Sequence, residues 1–256
     1  MKAPGHPDLL RTEELRKSFG EVRAVDGVDL RLKEGALTAV IGPNGAGKTT
    51  FINLLSGNLL PDAGRIFFQG EEITRLPVHQ RVRRGLGRSF QITNVFPQLE
   101  VYRNIQLPLL SHIKSAWRFW KKVDAVGGVS QRMEMILAEI GLEEKARLPA
   151  CVLSHGDQRL LEVGIALAAE PRLILLDEPT AGMNPIERAR ILKLISDLSA
   201  ARRTTFVLIE HDMDVVFSLA DEIVVLHQGQ ILARGTPSAI REDARVRDVY
   251  LGGEIA

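Results

Sequence analysis

The segment ALTAVIGPNGAGKTT, Ala36–Thr50, joins a continuous apolar run to a glycine-rich stretch that ends in Gly-Lys-Thr-Thr. The apolar run predicts a strand buried on both faces, as strands are in a parallel sheet covered by helices. Apolar residues at Phe51, Leu54 and Leu55 predict a helix directly after the glycines. Gly57 predicts the end of that helix. A glycine, four residues and then Gly-Lys-Thr between a strand and a helix is the pattern of a phosphate-binding loop.

This loop has the chemistry that a chain of phosphate groups requires. Its glycines let successive amide groups point inward, and the N-terminus of the following helix faces the same anions. Lys48 neutralises phosphate charge, the Thr49 hydroxyl is a ligand for Mg²⁺, and Thr50 adds a second hydroxyl. The predicted nucleotide cradle consists of Gly42, Pro43, Asn44, Gly45, Ala46, Gly47, Lys48, Thr49 and Thr50.

Two further apolar strands end in polar residues. The first, LILLDE, covers Leu173–Glu178. Ligands of open α/β sheets bind at the edge where strands end, so we expect Asp177 to hold Mg²⁺ through its water shell. We expect Glu178 to orient the attacking water or accept its proton. The second strand ends in LIEHD, Leu208–Asp212, where we expect His211 to contact the terminal phosphate and connect it to Glu178.

The order of the predicted elements indicates one α/β domain over residues 8–252. The alternating stretches Leu9–Phe19 and Glu21–Leu32 predict an N-terminal antiparallel β subdomain. Helical spacing at about 92–165 predicts a helical subdomain inserted into the core. Strands and helices then alternate up to a predicted hairpin at Asp221–Gly235. This order predicts a P-loop NTPase core with a mainly parallel sheet.

The composition limits what the 256-residue chain can do. Its 33 basic and 32 acidic residues give a net charge of +1, so we expect no nucleic-acid partner. The single cysteine, Cys151, rules out an internal disulfide, and we expect a small half-buried residue rather than a catalytic one. We expect no secretory signal, and no apolar run approaches the roughly 18 residues of a membrane helix. Work at a membrane would therefore be done through partners.

With these motifs, the sequence resembles the ATP-binding subunits of ABC transporters along nearly its whole length. GPNGAGKTT, Gly42–Thr50, is similar to the Walker A motif of that family, and LILLDEPT, Leu173–Thr180, is similar to its Walker B motif. LSHGDQ, Leu153–Gln158, lies where the family has its signature motif. AGMN, Ala181–Asn184, matches the D-loop, and His211 matches the switch histidine.

The resemblance implies roles for residues outside the strand ends. Gln91 matches the Q-loop glutamine, which contacts Mg²⁺ and faces the membrane subunits, and Phe19 occupies the place of the aromatic that stacks on adenine. Ser154 and Gly156 correspond to signature residues that bind a γ-phosphate through a hydroxyl and an amide at a helix N-terminus.

The sequence departs from the family pattern in the signature motif and in the D-loop. His155 and Asp157 replace a glycine and a glutamine, and Asn184 replaces an aspartate. The negative charge of Asp157 favours the helix dipole but would repel phosphate if it pointed inward. We therefore expect the Asp157 side chain to point away from the phosphate.

The resemblance implies an ATPase that uses ATP and Mg²⁺ and works as a dimer. In that family, the signature motif of one subunit closes on the ATP held by the P-loop of its partner. The implied partners are integral membrane permease subunits, a second ATP-binding subunit in a homo- or heterodimer, and indirectly a periplasmic or extracellular solute-binding protein. The implied location is the cytoplasmic face of the membrane.

Longer stretches, including RSFQITNVFPQLEVYRNI and the tail VRDVYLG, look like those of branched-chain amino acid import systems. Close alternatives are a urea or amide importer and a lipopolysaccharide exporter. A soluble ABC ATPase that acts on ribosomes or DNA is a further alternative, but such chains typically carry two cassettes or long coiled insertions. A catalytically idle nucleotide binder is disfavoured because Lys48, Asp177, Glu178 and His211 are all present.

Overall fold

The computed structural model of the chain describes residues 8–89, 95–112, 128–202 and 204–251. Its strands are β1 (Asp8–Phe19), β2 (Val22–Val28), β3 (Arg31–Lys33), β4 (Leu37–Ile41), β5 (Ala63–Phe68), β6 (Glu71–Glu72), β7 (Leu86–Ser89), β8 (Leu173–Asp177), β9 (Thr205–Ile209), β10 (Glu222–His227) and β11 (Gln230–Gly235). Its helices are α1 (Lys48–Ser56), α2 (Val78–Arg83), α3 (Val101–His112), α4 (Val129–Ile140), α5 (His155–Ala168), α6 (Pro185–Ala200), α7 (Met213–Leu219), α8 (Pro237–Glu242) and α9 (Ala244–Leu251).

Two sheets form the framework of the molecule. The larger sheet has six strands in the order β11-β10-β4-β9-β8-β7. Strands β10, β4, β9, β8 and β7 pair in parallel, and β11 pairs antiparallel with β10. The smaller sheet has the order β2-β1-β5-β6, with β3 also paired to β1, and all of its pairs are antiparallel. The predicted α/β class, with an antiparallel N-terminal sheet, is confirmed.

Both faces of the larger sheet are covered, which explains why its central strands β4, β8 and β9 are mostly apolar. All five residues of β8 are buried. Ile174 and Leu176 belong to the core cluster shared with α3, α4, α5 and α6. Leu173 and Leu175 point the other way and belong to the cluster shared with α1 and the N-terminal sheet. Successive strand residues face opposite sides, so a strand between two layers carries apolar residues on both of its faces.

The helices α3, α4 and α5 pack together, as a helical subdomain requires. A Cβ on Gly164 of α5 would lie 2.7 Å from the Ile140 side chain, so this glycine lets α4 approach α5 closely. Gly141 ends α4 in a left-handed conformation, as its position in the sequence predicts. The helical run reaches Ala168 rather than Ile165. The boundary near residue 92 lies outside the described residues and stays a prediction.

Some features differ from the sequence-based expectation. Helices α2, α8 and α9 and strands β6 and β7 are too short for a clear hydrophobic period, and the sequence does not predict them. Cys151 is exposed rather than half-buried, because it lies in a 3-10 turn, Ala150–Val152, on the surface. Within the described part of the chain, no helix is long and apolar enough to cross a membrane.

A buried arginine ties α2 to the end of α1. Arg81 is fully buried, and its guanidinium donates to the carbonyl oxygens of Leu54 and Leu55 at 2.7 Å each. It also donates to the carbonyls of Leu76 at 2.9 Å and Thr74 at 2.8 Å. Burial lowers the pKa of Arg81 to about 10, so the group stays charged at neutral pH. The cation therefore satisfies carbonyls at the negative end of the α1 dipole.

Replacing Arg81 with leucine will leave these buried carbonyls without donors. We expect Arg81→Leu to lower the free energy of unfolding by about 2–4 kcal/mol, because buried groups that lose a charged hydrogen-bond partner remain desolvated. Urea unfolding followed by circular dichroism measures the change. Arg83→Leu, an exposed arginine on the same helix, is the matched control. Equal stability of the two variants would contradict this role of Arg81.

Candidate active site

The loops that carry the predicted site residues leave the same edge of the larger sheet. Strands β4, β9 and β8 are neighbours and run parallel. The phosphate-binding loop follows β4, Asp177 ends β8, and His211 lies two residues after the end of β9. Because the carboxyl ends of parallel strands meet at one edge, the sheet brings these three loops together.

The loop between β4 and α1 is packed tightly at two glycines. A Cβ on Gly42 would lie 2.1 Å from the carbonyl oxygen of Leu226, and a Cβ on Gly47 would lie 2.1 Å from that of Ala24. Gly47 also has a φ of 99° where it caps α1, a conformation that other residues rarely adopt. Larger residues at either position would therefore displace the loop.

Lys48 spans this loop from the first turn of α1. It is 6% exposed, and its Nζ donates to the carbonyls of Gly42 at 2.7 Å and Pro43 at 3.0 Å. Burial lowers the pKa of Lys48, and the charges of Glu178 and Asp177 partly oppose that shift. The first amide groups of α1 have no acceptor within the helix. The loop thus offers a cation and free helix amides in one place, which suits a polyanion.

Asp177 is held at the end of β8 by an arginine from the neighbouring strand. Arg88 Nη2 of β7 donates to Asp177 Oδ2 at 3.2 Å, and Arg88 Nη1 donates to Asn53 Oδ1 of α1 at 2.6 Å. The side chains of Arg88 and Asp177 are 10% and 5% exposed. Burial raises the pKa of Asp177, which Glu178 reinforces and the charges of Arg88 and Lys48 oppose. Arg88 therefore links the Walker B strand to α1.

Glu178 and His211 contact each other across the gap between β8 and β9. The Nε2 atom of His211 lies 2.8 Å from Glu178 Oε1. Both side chains are accessible, at 47% for His211 and 42% for Glu178. Glu178 has a φ of 50°, a left-handed conformation that is uncommon for a residue with a side chain and is found at functional sites. The pair is thus open to a ligand on its solvent side.

Ser154 and Gly156 lie together at the N-terminus of α5. The Ser154 hydroxyl caps the helix by accepting from the Asp157 amide at 3.2 Å. The Gly156 amide donates to Glu187 Oε1 at 3.0 Å, so a carboxylate of the same chain lies against this helix terminus.

The Asp157 side chain is turned into the protein. It forms ion pairs with Lys145 and Arg190 and is 3% exposed. Burial by itself raises the pKa of Asp157, but hydrogen bonds from Lys145 and Arg190 outweigh burial and hold this pKa below its ordinary value. The aspartate that departs from the family pattern is therefore a buried structural anion.

The remaining residues singled out in the sequence are Asn184, Phe19 and Gln91. Asn184 caps α6 by accepting from the amides of Ile186 and Glu187, so its side chain is engaged in the helix terminus. Phe19, at the end of β1, is 51% exposed, and the Lys17 ammonium lies 5.7 Å from its ring centroid. Its ring is therefore accessible to a planar ligand. Gln91 lies outside the described residues.

The donor set fits a magnesium-bound nucleotide. Asp177 is a buried carboxyl group next to the carboxyl group of Glu178, so two sets of carboxyl oxygens lie at this strand end. Thr49 supplies a hydroxyl in the first turn of α1. Oxygen ligands of this kind suit Mg²⁺, and a divalent cation would relieve the charge at Asp177.

Family models match most of this chain. The model described as ABC transporter matches residues 25–181, and the model described as branched-chain amino acid ATP-binding cassette transporter matches residues 230–256. The high-affinity branched-chain amino acid transport ATP-binding protein BraF of Pseudomonas aeruginosa is 39% identical over 249 residues, which cover 95% of this chain and 98% of that protein. The lipopolysaccharide export system ATP-binding protein LptB of Acidithiobacillus ferridurans is 36% identical, with 96% and 98% covered.

Solved structures of ABC cassettes are also similar. The ADP conformation of MJ1267, an ATP-binding cassette of an ABC transporter, aligns with a TM-score of 0.80 and 32% identity over 96% of this chain and 99% of that one. A dimeric post-hydrolysis state of the cassette MJ0796, bound to ADP and Pi, aligns with a TM-score of 0.75 and 25% identity over 89% and 98%. The chain belongs to the ABC transporter family. Within it, the chain is an ATP-binding cassette with ATPase activity.

Four residues near the site were missed by the sequence reasoning. Arg88 holds Asp177, Glu187 covers the Gly156 amide, and Glu210 contacts the His211 backbone. The fourth, Tyr250 of the C-terminal helix α9, lies next to the backbone of Gly42. Arg88 and Glu210 could have been found from the sequence, because each is a charged residue next to a motif residue. Glu187 and Tyr250 gave none, because their partners are distant in sequence.

The depressed pKa of Asp157 predicts a pH dependence of stability. A carboxyl group with a pKa lower in the folded state than in the unfolded state stabilises the fold above its unfolded pKa, about 3.9, and loses this effect as pH falls through its folded pKa. We therefore expect Asp157→Asn to destabilise most above about pH 5 and progressively less below about pH 4. Urea unfolding of both proteins across this range measures the difference. Asp197→Asn, an exposed aspartate, is the control, and a pH-independent difference would contradict the prediction.

Proposed function

We propose that this chain is the ATP-hydrolysing subunit of an importer for branched-chain amino acids. Its ATPase chemistry rests on the 2.8 Å contact between Glu178 and His211 beside the Lys48 loop. The import assignment rests on the likeness to BraF over 95% of this chain and on the match of residues 230–256 to a branched-chain amino acid cassette model.

The proposed reaction uses the charges at the strand ends. Lys48 and the α1 amides bind the phosphates of ATP, and Phe19 stacks on the adenine. Thr49, Asp177 and Gln91 would hold Mg²⁺, which would supply positive charge to neutralise the terminal phosphates. Glu178 orients the attacking water and accepts its proton.

His211 has two roles in this proposal. Its Nε2 lies 2.8 Å from Glu178 Oε1, so the imidazole fixes the carboxylate, and its exposed edge contacts the terminal phosphate.

A second cassette completes each site in the proposed mechanism. Ser154 and Gly156 bind the γ-phosphate of ATP held by the partner, using a hydroxyl and an amide at a helix N-terminus. In the single chain, the Gly156 amide already donates to Glu187 at 3.0 Å. An amide has one hydrogen, so the Glu187 carboxylate must move away before a phosphate oxygen takes its place. Closure of the dimer therefore exchanges one anion for another.

The remaining partners follow from this role. We propose that the subunit docks on integral permease subunits at the cytoplasmic face of the membrane and pairs with an identical or closely related cassette. A periplasmic or extracellular solute-binding protein delivers the solute to the permeases. The likeness to LptB at 36% identity favours lipopolysaccharide export as the second candidate, and the transported solute distinguishes the two.

We expect Glu178→Gln to bind ATP with an affinity within about twofold of the wild type and to lower kcat by about 10²- to 10³-fold, because glutamine cannot accept the proton of water. Equilibrium nucleotide binding and steady-state ATPase assays measure both quantities. Glu144→Gln, at an exposed glutamate, is the matched control. A wild-type kcat for Glu178→Gln would remove Glu178 from the proposed mechanism.

Transport assays in cells test the proposed solute. Cells of the source organism that lack this chain should lose uptake of radiolabelled leucine, which the wild-type chain restores and the Glu178→Gln variant does not. Normal leucine uptake in these cells would contradict the import assignment while leaving the ATPase assignment intact. Accumulation of lipopolysaccharide at the inner membrane would instead favour the export candidate.

A further inference from the structure

Glu210 is a buried carboxylate between β9 and His211. It is 6% exposed, and each of its two oxygens accepts a hydrogen bond. Oε1 accepts from the Thr180 hydroxyl at 2.6 Å, and Oε2 accepts from the His211 amide at 3.1 Å. Burial of a carboxylate is unfavourable unless its lone pairs are satisfied, so both contacts contribute to holding it in place.

The two donors belong to the two loops that carry the catalytic pair. Thr180 lies two residues after Glu178 in the turn that follows β8, and the His211 amide begins the loop that follows β9. Glu210 therefore connects the backbone of His211 to the turn of Glu178. Side chains that touch across two loops keep a fixed distance only if the loops themselves are fixed.

The turn of Glu178 needs such a support. Glu178 has a φ of 50°, and conformations of this kind persist where the surroundings hold them. The Glu178 amide donates to the carbonyl of Ile209 at 3.0 Å, which attaches the start of the turn to the end of β9. The hydrogen bond from Thr180 to Glu210 attaches the other end of the turn to the residue that directly follows Ile209. The turn is therefore fastened to the β9 loop at both ends.

Arg188 of α6 lies close enough to Glu210 for their charges to interact. Arg188 of α6 forms an ion pair with Asp212, and its pKa is raised chiefly by that hydrogen bond and to a smaller extent by the charge of Glu210. Arg188 thus neutralises part of the negative charge on Glu210 without a direct hydrogen bond to it. Among the residues that the structure describes, Glu210 accepts two hydrogen bonds and forms no ion pair.

We propose that Glu210 is a positioning residue for ATP hydrolysis, which sets the separation of Glu178 and His211 by holding the Thr180 turn against the His211 backbone. This inference rests on the proposed function of the pair. Glu210 acts through His211 and Glu178 and contacts no substrate.

Replacing Glu210 with alanine removes both contacts, and replacing it with glutamine preserves them. The glutamine oxygen accepts from the His211 amide, and its NH₂ group donates to the Thr180 oxygen once the hydroxyl rotates. We expect Glu210→Ala to lower kcat by about tenfold or more with KM for ATP within about twofold, because geometry is lost and binding is not. We expect Glu210→Gln to restore kcat to within about threefold of the wild type.

A double-mutant cycle separates positioning from general support of the fold. If Glu210 acts through His211, Glu210→Ala will lower the single-turnover rate in the wild-type background but cause no further loss in a His211→Ala background. Equal losses in the two backgrounds would overturn the inference, and so would a rise in KM with an unchanged kcat. Full activity of His211→Ala would overturn the proposed role of His211 and the inference with it.

If Glu210→Ala does not fold, the Thr180→Val variant tests the same inference. This variant removes one of the two contacts and leaves the carboxylate bound to the His211 amide. We expect a several-fold loss of kcat that disappears in the His211→Ala background. Thermal unfolding of each variant is measured in parallel, and a kcat that stays at the wild-type value for a folded Thr180→Val would overturn the inference.

Discussion

The parallel pairing of β9 with both β4 and β8 is the constraint on which the site depends. It aligns Ala39 with Leu208 and Leu176 with Leu208, so the three strands end at nearly the same level. The loops that follow then meet without any long connection. A slip of the register by one residue would turn each strand's side chains to the opposite layer, and both core clusters would lose their apolar contacts. The packing of the two layers therefore fixes the positions of the loops that carry the proposed catalytic residues.

Charge balance at this edge follows from the same arrangement. The ends of β4 and β8 bring Lys48, Asp177 and Glu178 together, and Arg88 comes from β7, the neighbour of β8. Burial lowers the pKa of Lys48 and raises that of Asp177, so burial disfavours the charged form of each group. The charges of Glu178 and Asp177 favour charged Lys48, and the charges of Arg88 and Lys48 favour charged Asp177. A site with opposing, partly compensated charges accepts a polyanion and a cation together more readily than either alone.

The sequence predicts the larger elements and the local motifs, but not the contacts between distant residues. The strand Leu173–Asp177 is recognisable because its first four residues are all apolar, and Gly141 is recognisable because a left-handed helix end favours glycine. The approach of His211 to Glu178 could be anticipated because parallel strands share an edge. The Arg81 contacts could not, because the arginine lies on a six-residue helix without a clear period and reaches carbonyls 26 and 27 residues away.

The two carboxylates at the N-terminus of α5 differ in their consequences for dimer closure. Asp157 is neutralised by Lys145 and Arg190, so its charge adds little repulsion toward an incoming phosphate. Glu187 instead accepts from the Gly156 amide, and a Cβ on Gly156 would lie only 2.5 Å from the Glu187 Cγ. The helix terminus is thus satisfied by an anion before any partner arrives. In the proposed dimer, phosphate must outcompete a tethered carboxylate, and this competition makes closure depend on the γ-phosphate rather than on contact between the cassettes alone.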